Sequence, residues 1–101
     1  MSEYILSPSA VRDLDEIWDH YAIELQNPDA ADRVCGEIFE AMDRLARTPG
    51  MGHLRTDLSP IEPLCFLHVR KYPIIYRRDD RPIQIVRVIH GNRDVASILD
   101  S

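Results

Sequence analysis

The stretch from Asn27 to Gly50 constrains this chain more than any other, because it is a complete helical signal with its own start and stop. Ala31, Val34, Ile38, Ala41 and Leu45 form one apolar row, and Cys35, Phe39, Met42 and Ala46 form a second beside it, at ~100° per residue. Every charged residue from Asp32 to Arg47 falls on the opposite side. Asn27 can accept a bond from a free amide of the first turn, Pro28 fits that turn, and Asp29 favours its positive end. At the other end Pro49-Gly50 cannot continue a helix, so this one runs to about Thr48. An apolar arc this broad needs cover on two sides. Either the helix is wedged between another helix and a sheet, or part of the arc, around Phe39 and Met42, stays exposed until a partner helix covers it.

The rest of the chain supplies both kinds of cover. Tyr4-Ile5-Leu6 reads as a brief strand whose exit, Ser7-Pro8, caps a helix. From Val11 the apolar residues recur as Val11, Leu14, Trp18, Tyr21 and Leu25, with Ile17 and Ala22 beside them, which predicts an amphipathic helix of about four and a half turns. Asp13, Asp15, Glu16 and Asp19 fall on the remaining arc and read as a solvated face. Residues 50 to 64, with two Gly and two Pro, read as a loop. Cys65 to Val69, Ile74 to Tyr76 and Ile83 to Ile89 then predict three strands, separated by Arg70-Lys71 and Asp79-Asp80-Arg81. Short separations imply antiparallel pairing, although Arg70-Lys71 lacks the Gly or Asn a two-residue turn prefers. After the turn at His90 to Asp94, Val95 to Leu99 read as a final helical turn. The expected fold is α+β, β-α-α-β-β-β, a helical hairpin on a small, mainly antiparallel sheet, and residues 1–101 form one domain.

Charge narrows the function. The chain has 101 residues with a net charge of −5, which argues against coating phosphate backbones by bulk charge. Residues 1 to 52 balance at −7 and residues 53 to 101 at +2, so a local basic face is still available in the second half. No apolar run approaches the ~20 residues of a spanning helix, and the first fifteen residues carry acids rather than a basic leader, so a cytoplasmic protein is expected. Cys35 and Cys65 lie without a CxxC or matching His spacing and read as buried free thiols. His20, His53 and His68 share no ligand spacing; neither a metal nor a cofactor is signalled.

A set of short motifs then falls into one order: Leu6-Ser7-Pro8 with Ala10, Asp13-Leu14 and Ile17-Trp18; Asn27-Pro28-Asp29-Ala30-Ala31; Leu45 with Pro49-Gly50-Met51-Gly52; Tyr76-Arg77; and Arg87-Val88-Ile89-His90-Gly91-Asn92-Arg93-Asp94. Across nearly the whole chain this resembles the ParE branch of the ParE and RelE toxin superfamily, the toxin halves of bacterial type II toxin–antitoxin pairs. The resemblance implies a toxin that binds DNA gyrase and interferes with its cleavage and religation cycle. It implies a cognate antitoxin, ParD-like or other, whose carboxyl-terminal segment lies across the toxin and through which operator DNA is met. Two other readings accompany it: a ribosome-dependent mRNA endonuclease of RelE type, and a degenerate member that only binds antitoxin and co-represses its operon. RNA cleavage needs a base, cations for the phosphorane and an acid for the leaving oxygen. Where the endonucleases resemble one another in having a Tyr near the carboxyl end, this chain has Leu99, and the loop from His53 to Leu64 supplies only Arg55. No catalytic residue is therefore assigned.

The candidates for target binding are Arg70, Lys71, Arg77, Arg78, His90 and Arg93, which fall at strand ends and turns. Tyr76 with Arg77 and Arg78 offers either a stacking, phosphate-contacting surface or a core tyrosine whose hydroxyl reaches the sheet edge. His90 and Arg93 either take part in acid–base work or pack at the strand end and pin the tail. Phe39, Met42 and Trp18 are the candidates for antitoxin binding.

Overall fold

In the computed structural model, residues 3–55 and 64–90 are described. They form β1 (Tyr4–Leu6), α1 (Pro8–Asp19), a π-helical turn (His20–Glu24), α2 (Pro28–Arg47), a 3-10 turn (Pro49–Met51), β2 (His53–Arg55), β3 (Leu64–Val69), β4 (Tyr72–Arg77) and β5 (Ile83–Val88). The strands lie in the order β1-β5-β4-β3-β2. The pairs β2–β3, β3–β4 and β4–β5 are antiparallel, while β1 runs parallel to β5 with Tyr4 opposite Ile83 and Leu6 opposite Ile85.

The caps form as their residue types dictate. Ser7 accepts from the Ala10 N–H at 3.0 Å, and its hydroxyl donates to the Val86 carbonyl at 2.6 Å, which ties the start of α1 to β5. Asn27 accepts from the Ala30 N–H at 3.1 Å at the start of α2. The first helix has the expected extent, but its last turn widens into a π-helix from His20 to Glu24, where the Tyr21 and Tyr72 hydroxyls meet at 3.0 Å. The hairpin at Arg70-Lys71 closes with two residues between Val69 and Tyr72, and Arg70 takes φ 55, doing without the expected glycine.

One expectation fails here. Residues 53 to 55, read as part of a loop, form β2, with His53 opposite Phe66 and Leu54 opposite Cys65. His-Leu-Arg contains no β-branched residue, and its strand geometry comes from the free edge of β3 rather than from its own propensity. The helical turn expected at Val95 to Leu99 lies outside the described residues.

Both faces of the sheet are apolar. Ala10, Leu14 and Ile17 of α1 and Val34, Ile38 and Leu45 of α2 pack with Ile74, Tyr76, Ile83 and Ile85, and Leu64, Ile75 and Ile89 form a smaller cluster with Phe66 and Val86. Buried on both sides, β4 needs a near-continuous apolar run, whereas β5 carries Gln84 and Arg87 at half-buried positions. Met42 belongs to this core and is 0% exposed, which corrects its placement on an open surface. Ile38, Met42 and Leu45 sit at i, i+4 and i+7 and form the inward stripe, whereas Phe39 is turned about 60° from Met42 and remains 40% exposed.

Tyr76 is buried at the centre of the sheet; its hydroxyl donates to the Pro49 carbonyl at 2.7 Å and accepts from the Gly52 N–H at 3.1 Å. That contact explains Gly52, where a Cβ would stand 2.7 Å from the Phe66 carbonyl oxygen and collide with the phenol. Cys35 and Cys65 are free and buried, and burial pushes both thiols up, so neither is a ready nucleophile.

Candidate functional site

The sheet end next to α1 is organised by a charged residue that the sequence placed in solvent. Asp13 is only 3% exposed. Arg87 Nε and Nη2 donate to its Oδ2 and Oδ1 at 2.7 and 2.8 Å, and the Val88 N–H donates to Oδ2 at 2.9 Å. The reading of Asp13 as part of a solvated acidic face is thus corrected. The hydrogen bond to Asp13 raises the Arg87 guanidinium above its ordinary range, so Arg87 stays charged. A signal was present in the sequence: Asp13 stands between Ala10 and Ile17 at i+3 and i−4, on the buried row, and Arg87 is the charged residue of a mainly apolar strand.

His90 follows β5 at the same end. Its Nε2 lies 2.6 Å from Glu16 Oε2 and 3.7 Å from Asp13 Oδ1. The close approach to Glu16 falls outside hydrogen-bond alignment, so the contact is an ion pair whenever the ring is protonated. Asp13, Glu16 and His90 offer ligand atoms within 4.8 Å of one another, but the set does not suit a cation. Both Asp13 oxygens are already engaged, and the Arg87 charge beside them would repel one.

The target-binding candidates divide between two ends of β4. Because β5 returns antiparallel to β4, His90 comes down beside the β3–β4 turn, and Lys71 and His90 share a hollow of about 550 Å³ with Glu16, Asp19, His20 and Glu24. Lys71 Nζ sits 5.7 Å from the centroid of the Tyr72 ring, and the neighbouring Arg70 forms an ion pair through Nε with Glu37 of α2. Burial first, then the hydrogen bond with Tyr21, pushes the Tyr72 phenol well above the ordinary tyrosine range. Arg77 and Arg78 lie at the far end of β4, roughly 17 Å away at ~3.3 Å per residue. Arg78 Nε stands 3.8 Å from Asp79 Oδ1, and Arg81 closes the turn by donating to the carbonyls of Arg78 and Asp80 at 2.7 and 2.9 Å. The six candidates are therefore not one patch: Arg70, Lys71 and His90 belong to an acid-rich end, and Arg77 and Arg78 to the opposite end, beside a turn that also holds Asp79, Asp80 and Arg81. Arg93 lies outside the described residues.

Of the antitoxin-binding candidates, Trp18 and Phe39 come together. They line a groove between α1 and α2 with Leu14, Asp15, Asp32 and Cys35, and they are 36% and 40% exposed. Gly36 also lines it and was not singled out from the sequence.

A family model described as "ParE toxin of type II toxin-antitoxin system, parDE" matches residues 4–95. The chain is 33% identical over 95 residues to Toxin ParE1 of Mycobacterium tuberculosis, in the strains CDC 1551 / Oshkosh and ATCC 25618 / H37Rv, covering 93% of this chain and 94% of each relative. A chain of the solved "Chromosomal ParDE TA system from P. aeruginosa" superposes with a TM-score of 0.71 at 26% identity, covering 91% of this chain and 98% of that one. The two helices on a five-stranded mixed sheet, with a family match over residues 4–95, lead to one conclusion: the chain belongs to the ParE toxin family of type II toxin–antitoxin systems.

Proposed function

We propose that this toxin acts by binding rather than by chemistry, that its target is DNA gyrase, and that a cognate, ParD-like antitoxin neutralises it by covering the helical hairpin in the cytoplasm. The observation that carries the non-enzymatic reading is the electrostatics of the His90 end. Lys71 and His90 share their hollow with Glu16, Asp19 and Glu24, and a carboxylate-rich hollow opposes the phosphorane that RNA cleavage must stabilise. The Tyr72 and Tyr76 phenols are raised by burial, which makes them poor proton donors near neutral pH. The gyrase reading rests on the family resemblance and on Arg77 and Arg78 at the end of β4, where side chains beside a loop can meet an acidic surface or DNA without disturbing the core. No helix among the described residues is long and apolar enough to cross a membrane.

Purified toxin should inhibit supercoiling by gyrase, with inhibition weakening as salt rises, and should leave ribosome-bound mRNA intact. Arg77→Ala with Arg78→Ala should lower gyrase inhibition about tenfold or more. Codon-specific mRNA cleavage at enzyme-like rates would overturn this reading in favour of the endonuclease. Absence of both activities, with antitoxin binding retained, would leave the member that only binds antitoxin.

A further inference from the structure

Three rings line up on the sheet face turned away from the helices, at the edge formed by β2 and β3. His53 stands opposite Phe66 with ring centroids 5.4 Å apart, and Phe66 meets His68, two residues along the same face of β3, at 5.3 Å. Phe66 is half-buried on the smaller core cluster, which fixes the middle ring, while both histidines are exposed. Among the described residues neither imidazole has a hydrogen bond or an ion pair, so no described group engages their polar edges. Strand stability does not call for them either, since Thr or Val would fit a pleated edge better than His.

We propose that this ring ladder binds an unpaired DNA strand, whose bases stack on His53, Phe66 and His68 and whose phosphates accept from the imidazole N–H groups. The proposal rests on the gyrase reading above and adds that the toxin touches the nucleic acid as well as the protein. Every base has a π face, so stacking on aromatic side chains accepts any sequence, but only bases that are not stacked on one another offer that face. Steps of 5.3 and 5.4 Å between rings exceed the ~3.4 Å rise of a stacked strand and suit nucleotides that have come apart. An intact duplex presents base edges in its grooves and would meet this face only through its backbone. A staggered break in a cleavage and religation cycle leaves unpaired nucleotides of the required kind. With a net charge of −5 on the chain, stacking rather than bulk charge has to supply the affinity. The face also continues toward the cations assigned to the target, because Ile75 lies opposite Phe66 and Arg77 follows two residues on along the same face of β4.

The test uses the full-length toxin in fluorescence anisotropy with a labelled DNA strand of about 12 nucleotides, its duplex and an RNA strand of the same sequence, beside a gyrase supercoiling assay. Wild type should bind the DNA strand about tenfold or more tightly than the duplex. His53→Ala with His68→Ala, both at exposed positions, should keep the melting temperature, weaken strand binding about tenfold or more and reduce gyrase inhibition in parallel. His53→Tyr with His68→Tyr restores rings with polar tips and should bind within about threefold of wild type. Equal binding of strand and duplex, or an alanine double variant that binds and inhibits like wild type, overturns the proposal, while gyrase inhibition by wild type keeps the gyrase reading. Inhibition lost in the alanine variant without strand binding by wild type assigns the ladder to a protein surface, and RNA bound about tenfold more tightly than DNA assigns it to RNA; either result overturns the DNA proposal. Wild-type toxin that leaves supercoiling untouched overturns the gyrase reading and the proposal together.

Discussion

Asp13 on α1 and Glu37 on α2 each reach an arginine on the sheet side of the molecule, and the two pairs differ in depth and in company. Asp13 is buried, takes both arms of Arg87 and also receives the Val88 N–H. Glu37 meets Arg70 through one nitrogen, with both side chains nearly half exposed. Removing Asp13 from the first pair strands a charge and a backbone donor, whereas water replaces either partner of the second. The first pair locks α1 against β5 and so holds the strand end from which His90 leaves. The second clips down a turn whose Arg70 occupies the left-handed region without glycine.

The contrast can be broken most forcefully at Asp13. Asp13→Ala should lower unfolding stability by about 3–5 kcal/mol in urea titration. Asp13→Leu combined with Arg87→Met should recover most of the loss, because only the Val88 N–H is then left without its partner. If the single variant costs no more than an exposed substitution, burial is not what separates the two pairs.

Tyr76 supplies a neutral intermediate case. Tyr76→Phe removes one hydroxyl that serves the Pro49 carbonyl and the Gly52 N–H at the centre of the sheet, and should cost about 1–3 kcal/mol by chemical denaturation. A cost equal to that of Asp13→Ala would mean that unsatisfied backbone groups, not charge, dominate the α1–β5 lock.

The smallest effect belongs to Glu37→Gln, which should leave the melting temperature at neutral pH unresolved from wild type. The hydrogen bond from Arg70 holds the Glu37 carboxyl below the usual glutamate range in the folded protein. Its contribution is therefore present above the unfolded-state pKa and lost as pH falls through the folded one. Thermal scans of wild type and Glu37→Gln should therefore stay superimposed from neutral pH into acid, and a gap that opens there in favour of wild type would contradict the sign. For Arg87 the shift is upward, so its stabilisation is lost only at strongly alkaline pH.

The same difference in depth explains what the sequence could reveal. Local chemistry was legible: Ser7-Pro8 and Asn27-Pro28-Asp29 cap the helices where their side chains and fixed φ require, and apolar β-branched runs mark β3, β4 and β5. Features decided across the fold were not. Asp13 and Arg87 are each anomalous in their own element, but their pairing spans 74 residues of chain and depends on which row of α1 meets β5. Phe39 and Met42 look equivalent in a broad apolar arc until the sheet covers one of them. β2 exists because β3 has a free edge. At the candidate site, periodicity pointed to Trp18 and Phe39 as a surface, while Gly36, which lines the same groove, carried no apolar signal.

The parallel pairing of β1 with β5 also bears on how the chain is made. Tyr4–Leu6 emerges early from the ribosome, yet its partner Ile83–Ile85 is polymerised 79 residues later, and Ser7 reaches its acceptor on Val86 across the same interval. At the usual ~5–20 residues per second of synthesis the delay is roughly 4–16 s. From the completion of α2 at Arg47 until β5 is made, the α1–α2 hairpin lacks the strand that pins its first turn. The sheet cannot be completed until translation has passed Val88, so an unfinished chain lacks the strand that joins β1 to β4.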